Sequence, residues 1–356
     1  MIDRPTTTKT VLHGLQYGRA IAALLVVCCH ASVVIHENFS ENLLSKIFIG
    51  GSSGVQFFFV LSGFIIYYIH SDDDRNIDNA KLFIKKRLLR VYPIYWIALI
   101  FTLTGKIAFS SSGVANSIIG DITLISNRYL LTVPVAWTLS HEILFYSIFA
   151  AGYYALGKLK NLLIFWLIII VGYQIFTLGS HHGSNTILNI NNCLFASGIF
   201  IGYLFKKKSE LLKLHYKKTL CTGALLLLTG MTSLSQAGLD RPYNDTRFLL
   251  EQILIGLAST FLVAGLSSLP KHQRTSNILI TLGNASYSIY LFHLLTQQAT
   301  YRFLSKIGKI DTYYSSAIFL LLVLLPIFVG TAVHYLIEKP IIRTLSNWIK
   351  KSKSKK

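Results

Sequence analysis

The chain has 356 residues, of which 52% are hydrophobic and 14% charged, with a mean hydropathy of +0.51. Soluble domains carry about 25% charged residues, so a water-soluble single core is excluded, and 22 Phe with 19 Tyr exclude disorder. The formal charge of +19 would suit nucleic acid in a polar protein, but in so apolar a chain it reads as loops held against anionic lipid.

The composition therefore predicts an all-α, polytopic membrane helical bundle. A span needs about 20 mostly apolar residues, and ten stretches qualify. In order they are Arg19–Ile35, Ser53–Ile69, Val91–Phe109, Val135–Leu156, Leu162–Leu178, Asn191–Phe205, Thr219–Ser235, Phe248–Leu269, Thr281–Thr296 and Tyr314–Ile337. The sixth and ninth are short and interrupted by Gly or polar residues. The first follows Arg4 and Lys9 like a signal peptide, but no A-x-A pattern comes after it, so it reads as an uncleaved helix.

Loop charge orients these spans. Arg4, Lys9, the Lys85–Arg90 run, Lys158, Lys160, Lys206–Lys208, Lys271, Arg274 and the tail fall in one alternating set of loops. The opposite set holds few cations, among them Lys46, Lys106, Arg128, Arg241 and Arg302. Both termini are thus expected in the cytoplasm, with the loops around Ser112, Gly183 and Asp245 outside. One transmembrane domain over residues 1–340 is followed by a basic cytoplasmic tail over 341–356, expected to rest on lipid.

Cys28, Cys29, Cys193 and Cys221 have no C-x-x-C spacing, so neither a disulfide framework nor a metal site is indicated. Gly50-Gly-Ser-Ser-Gly54 matches G-x-S-x-G, but that motif needs a strand–turn–helix elbow and here caps a membrane helix.

Ionisable groups inside spans are expensive and mark functional sites. Glu142 is the acid placed well within a span; Glu251, four residues after Arg247, reads as an i,i+4 pair. His30, His141 and His293 are the intramembrane histidines, with His334 near the end of the last span. Arg19 and His30 are eleven residues apart, which on a helix is three turns plus roughly 20°, and about 16 Å along the axis. They share one face, with Arg19 at the cytoplasmic surface and His30 near mid-membrane. Glu142, His293 and Ser62 reach comparable depth on three other helices, which predicts a cavity. Arg87 and Arg90, three apart in an interfacial amphipathic segment, form one face able to hold phosphates.

In this arrangement the chain resembles the acyltransferase-3 family of membrane acyltransferases, which includes enzymes that O-acetylate bacterial surface polysaccharides. Arg19 and His30 match its R-x10-H pattern, and Phe57-Phe-Phe-Val-Leu-Ser62-Gly-Phe64 its F-F-x-x-S-G-F segment. Arg87-Leu-Leu-Arg90-Val-Tyr-Pro93 is similar to R-x-x-R…P, and Trp137–Tyr146 to W-[ST]-L-x-x-E-x-x-F-Y. Ser286–His293 resembles S-Y-x-x-Y-L-x-H, and Glu338-Lys-Pro340 the family's ending. The six segments occur in family order, and no fused hydrolase-like domain is expected.

The resemblance implies a cytoplasmic acyl-coenzyme A donor, most simply acetyl-CoA. It implies an acceptor hydroxyl on a polysaccharide or lipid-linked sugar, in the bacterial inner membrane. It makes His30 catalytic and assigns Arg19, Arg87 and Arg90 to the donor. On this reading His30 is a general base, Glu142 orients it and stabilises its imidazolium, and Ser62, Tyr287 and His293 donate to the oxyanion. An acyl-histidine intermediate is equally compatible. No resident cofactor, metal or nucleic acid is expected. The competing class is a transporter or flippase of lipid-linked sugars without covalent chemistry, which ten helices and a polar midplane also fit.

Overall fold

The computed structural model describes residues 12–39, 43–108, 118–125, 131–177, 185–237, 246–270, 277–307 and 314–353. Ser112, Gly183 and Asp245, with Arg4, Lys9, Arg128, Arg241, Lys271, Arg274 and the last three residues, lie outside them. The described residues form helices and connections, with no strand among them. The long helices are α1 (His13–Asn38), α2 (Gly54–His70), α3 (Ile77–Ala108), α4 (Trp137–Phe149), α5 (Leu159–Phe176), α6 (Asn192–Lys207), α7 (Ser209–Ala237), α8 (Thr246–Ser267), α9 (Asn277–Ile307) and α10 (Ser315–Val333). A π-turn His334–Glu338 carries α10 into the basic C-terminal helix α11 (Lys339–Lys353).

A helix thus stands at each expected span, and seven are long and apolar enough to cross a membrane. The chain is a polytopic helical membrane protein. The other three are α4, α6 and α7. The 16 residues of α6 reach only about 24 Å, short of a bilayer core of about 30 Å. Lys213, Lys217 and Lys218 dilute the first half of α7.

One expectation needs correction, and two others gain detail. The ninth span, read as short, is a helix of 31 residues. Its polar Ser286, Ser288, His293 and Gln297 are buried and bond to other helices, so they tie the bundle together instead of interrupting α9. The basic run at Lys85–Arg90 belongs to the continuous α3, which begins well before Val91. The start of the tail is a helix, and Lys85 Nζ sits 4.1 Å from the Trp348 ring centre.

Packing relies on small residues and polar cross-links, because lipid supplies little hydrophobic drive between helices. Helices α2 and α6 approach most closely at Gly63 and Gly198, where an added Cβ would lie 2.1 Å from the Phe195 carbonyl oxygen and 2.0 Å from that of Val60. Gln297 of α9 donates to the carbonyls of Val27 and Leu322, both at 2.9 Å, linking α9 to α1 and α10. Phe59, Phe64, Phe145, Phe149 and Phe195 fill the interior, while Ile168, Phe176, Leu324 and Phe328 face outward, as a lipid-facing surface requires.

Candidate active site

A cavity of about 860 Å³, its open mouth included, lies among α1, α2, α3, α4 and α9. Its polar lining comprises Arg19, Ser62, Arg87, Arg90, Thr138, Glu142, Tyr146, Ser286, Tyr287 and Tyr290. Six of the eight residues singled out from the sequence therefore meet in one space: Arg19, Ser62, Arg87, Arg90, Glu142 and Tyr287. The Gly63–Gly198 contact brings α2 close enough to α6 to hold Ser62 in this wall. Three guanidiniums face one lining carboxylate, so the cavity suits an anion.

The other two, His30 and His293, pair with each other next to the cavity. His293 Nδ1 lies 2.6 Å from the Tyr290 carbonyl oxygen. A carbonyl only accepts, so Nδ1 carries the proton and Nε2 of neutral His293 carries the lone pair. That lone pair lies 3.2 Å from His30 Nδ1, which also lies 3.0 Å from the Val26 carbonyl oxygen. His30 Nδ1–H therefore donates to both, leaving the His30 Nε2 lone pair to act as a base. The Tyr290 ring lines the cavity and packs against His293 with centroids 5.8 Å apart.

Glu142 does not have the expected partner. Ser62 and Tyr146 are its polar neighbours in the cavity wall, and the cations facing it are Arg90 and Arg87. His30 is instead oriented by His293. Two of the three expected oxyanion donors have other acceptors. Tyr287 donates to the Val91 carbonyl oxygen at 2.8 Å, and neutral His293 has its one proton on the Tyr290 carbonyl oxygen, while Ser62 lines the cavity beside Glu142. Tyr287 thus braces α9 against α3 beside the arginine pair.

Arg19 Nε donates to Ser286 Oγ at 3.1 Å, and its charged neighbours are Arg90, Glu338 and Glu142. Glu338 is the residue the sequence reading left without a role. It is 5% exposed and accepts from Ser288 Oγ at 2.7 Å and His334 Nδ1 at 2.8 Å. An acid directly after the last apolar run was the available signal. Tyr146 and Tyr290, both within quoted motifs, were likewise passed over. His141, by contrast, is a packing residue, its Nδ1 2.9 Å from Asn192 Oδ1 on α6. Arg247 and Glu251 form the expected pair at 3.9 Å. The G-x-S-x-G segment is a 3-10 turn at Ile49–Ser53 leading into α2, without the strand an elbow needs.

Residues 12–336 match the acyltransferase domain of the acyltransferase-3 family. This chain belongs to that family. The acyltransferase is 24% identical to the exopolysaccharide production protein ExoZ of Rhizobium meliloti, over 82% of this chain and 90% of ExoZ. It is 23% identical to the acyltransferase MdmB of Streptomyces mycarofaciens, over 94% of this chain and 92% of MdmB. No solved structure matches it significantly.

Proposed function

We propose that this membrane acyltransferase moves an acyl group, here acetyl, from cytoplasmic acyl-coenzyme A to a hydroxyl of a cell-surface polysaccharide or its lipid-linked precursor. Its location is the bacterial inner membrane, with both termini in the cytoplasm. The observation that carries the reading is the cavity in which Arg19, Arg87 and Arg90 face a single lining carboxylate. Coenzyme A is an anion with a thin pantetheine arm, and arginine forks suit its phosphates. The name of ExoZ supports the acceptor class, and the loop charges support the orientation.

In the proposed reaction the donor phosphates rest on the arginines while the thioester reaches past Tyr290 to His30. His30 Nε2 takes the proton of the acceptor hydroxyl as its oxygen attacks the thioester carbonyl. The C–O bond forms, and the tetrahedral intermediate collapses with cleavage of the C–S bond. The coenzyme A thiolate leaves and receives the proton from the His30 imidazolium. His293 holds the reacting tautomer throughout. Ser62 and Tyr287 line the cavity and serve the oxyanion, Tyr287 by exchanging its present acceptor. The acyl donor is a substrate, and no resident cofactor enters the scheme.

Purified protein incubated with acetyl-CoA and polysaccharide should release free thiol in step with acetyl ester on the glycan, read by mass spectrometry. Glycans from cells with and without the protein should differ by the mass of one acyl group per modified unit. Absence of both signals would overturn the reading. Reporter fusions at the two termini test the orientation.

A further inference from the structure

Helix α2 ends at His70, and the turn after it brings Asp73 back beneath the imidazole. His70 Nδ1 lies 2.7 Å from Asp73 Oδ2. The Tyr154 hydroxyl donates to the same oxygen at 2.7 Å and lies 3.2 Å from His70 Nδ1. A carboxylate only accepts, so His70 carries its proton on Nδ1 and its lone pair on Nε2. That lone pair lies 3.2 Å from Nη2 of Arg87, and a guanidinium only donates. The direction of every bond is therefore set. The Phe83 ring meets His70 edge-on at 4.9 Å, and Arg87 lies 5.5 Å from the Phe83 centroid and 5.7 Å from that of Tyr146.

We infer that Asp73, Tyr154 and His70 form a strut that aims the Arg87 guanidinium into the cavity, making His70 a positioning residue for an anionic donor. The inference rests on the donor reading above. A long Arg side chain pays for binding in lost rotamer freedom, and a guanidinium already held pays less. The choice of side chain at 70 follows from charge. A carboxylate placed directly on Arg87 would cancel the charge needed for phosphate and compete with it. A neutral imidazole holds the fork in place and leaves its charge intact, while Asp73 stays one bond removed.

The test is calorimetric binding of coenzyme A to the full-length detergent-purified protein, paired with acetyl-CoA kinetics. The comparison covers wild type, His70→Phe, His70→Gln, Asp73→Asn, Arg87→Ala and the His70→Phe/Arg87→Ala double variant. His70→Phe should weaken coenzyme A by about tenfold, the scale of one charge-assisted contact. The donor KM should rise in step, while kcat falls far less. His70→Gln, whose amide oxygen still accepts from Arg87, should recover most of the loss. The double variant should be no worse than Arg87→Ala alone, because the two residues act as one. If His70→Phe fails to assemble, Asp73→Asn, at a half-exposed position, carries the test with a smaller loss in the same direction. Coenzyme A binding unchanged in a folded His70 or Asp73 variant, or a loss additive with Arg87→Ala, overturns the strut and leaves the donor reading standing. Wild-type protein that does not bind coenzyme A overturns the donor reading and the strut with it.

Discussion

His293 Nε2 lies 3.2 Å from His30 Nδ1, and the bond runs from His30 to His293 because the Tyr290 carbonyl already holds the His293 proton. Two helices far apart in sequence, α1 and α9, thereby fix one tautomer of one imidazole. Its Nε2 lone pair is the group that proton abstraction needs.

This arrangement separates the two histidines experimentally. His30→Ala should abolish transfer while coenzyme A thioester still binds. His293→Phe should lower kcat about 10²-fold, at the low end of general-base contributions, with donor affinity retained. His293→Gln, whose amide oxygen can accept from His30 Nδ1, should recover part of the rate. Single-turnover acyl transfer measures all three. Wild-type kcat in His293→Phe would remove His293 from the mechanism.

Arg19 works at the other end of the same helix face. Arg19→Ala should weaken donor binding by roughly 1.5–3 kcal/mol, the scale of a charge-assisted hydrogen bond. Turnover should persist at high donor concentration because the base is intact. Arg19→Lys should recover only part, since a point charge cannot reproduce a fork. Normal donor affinity in Arg19→Ala, by titration calorimetry, would move the phosphates onto Arg87 and Arg90.

Glu142 gives a different signature from the one its motif suggests. With Arg90 and Arg87 facing it, Glu142→Gln removes the counter-charge of these guanidiniums. The thermal midpoint of the apo protein should fall, because cations left without their carboxylate are costly. Added coenzyme A should raise that midpoint more in the variant than in wild type, since its phosphates replace the missing charge. An equal apo midpoint and an equal coenzyme A-induced rise in the two proteins would show that Glu142 is not the anion competing for these arginines.

The glycine contact behind Ser62 makes the site depend on packing. A methyl at Gly63 or Gly198 would meet a backbone carbonyl at about 2 Å, which no rotamer change relieves. Gly63→Ala or Gly198→Ala should each cost on the order of 1–3 kcal/mol, the usual range for overpacking, and lower activity together with detergent stability. Unchanged stability in both would mean that α2 and α6 separate freely.

Much of this protein is written locally. Hydropathy located the ten helices α1 to α10, seven of them long and apolar enough to cross a membrane, because burial in lipid acts residue by residue along a short window. The eleven-residue spacing placed Arg19 and His30 on one face, because helix geometry is set by the backbone alone. The arginines, Ser62, Glu142 and Tyr287 were legible as motif residues, and the structure brings them to one space.

Partnership was not legible. Nothing in Glu142's own neighbourhood says that it faces Arg90 and Arg87 instead of His30, nor that His30 finds a partner 263 residues away. A hydropathy sum counts Ser286, His293 and Gln297 as breaks in α9, whereas the bundle satisfies each across a helix interface. The sequence around His70 and Glu338 does not name their partners, which appear only when α3 and α9 are packed beside them. The hydrogen-bonding group that answers a buried polar atom is chosen by which helices meet. That is decided by close approaches such as Gly63 with Gly198, so only the tertiary structure could assign the pairs.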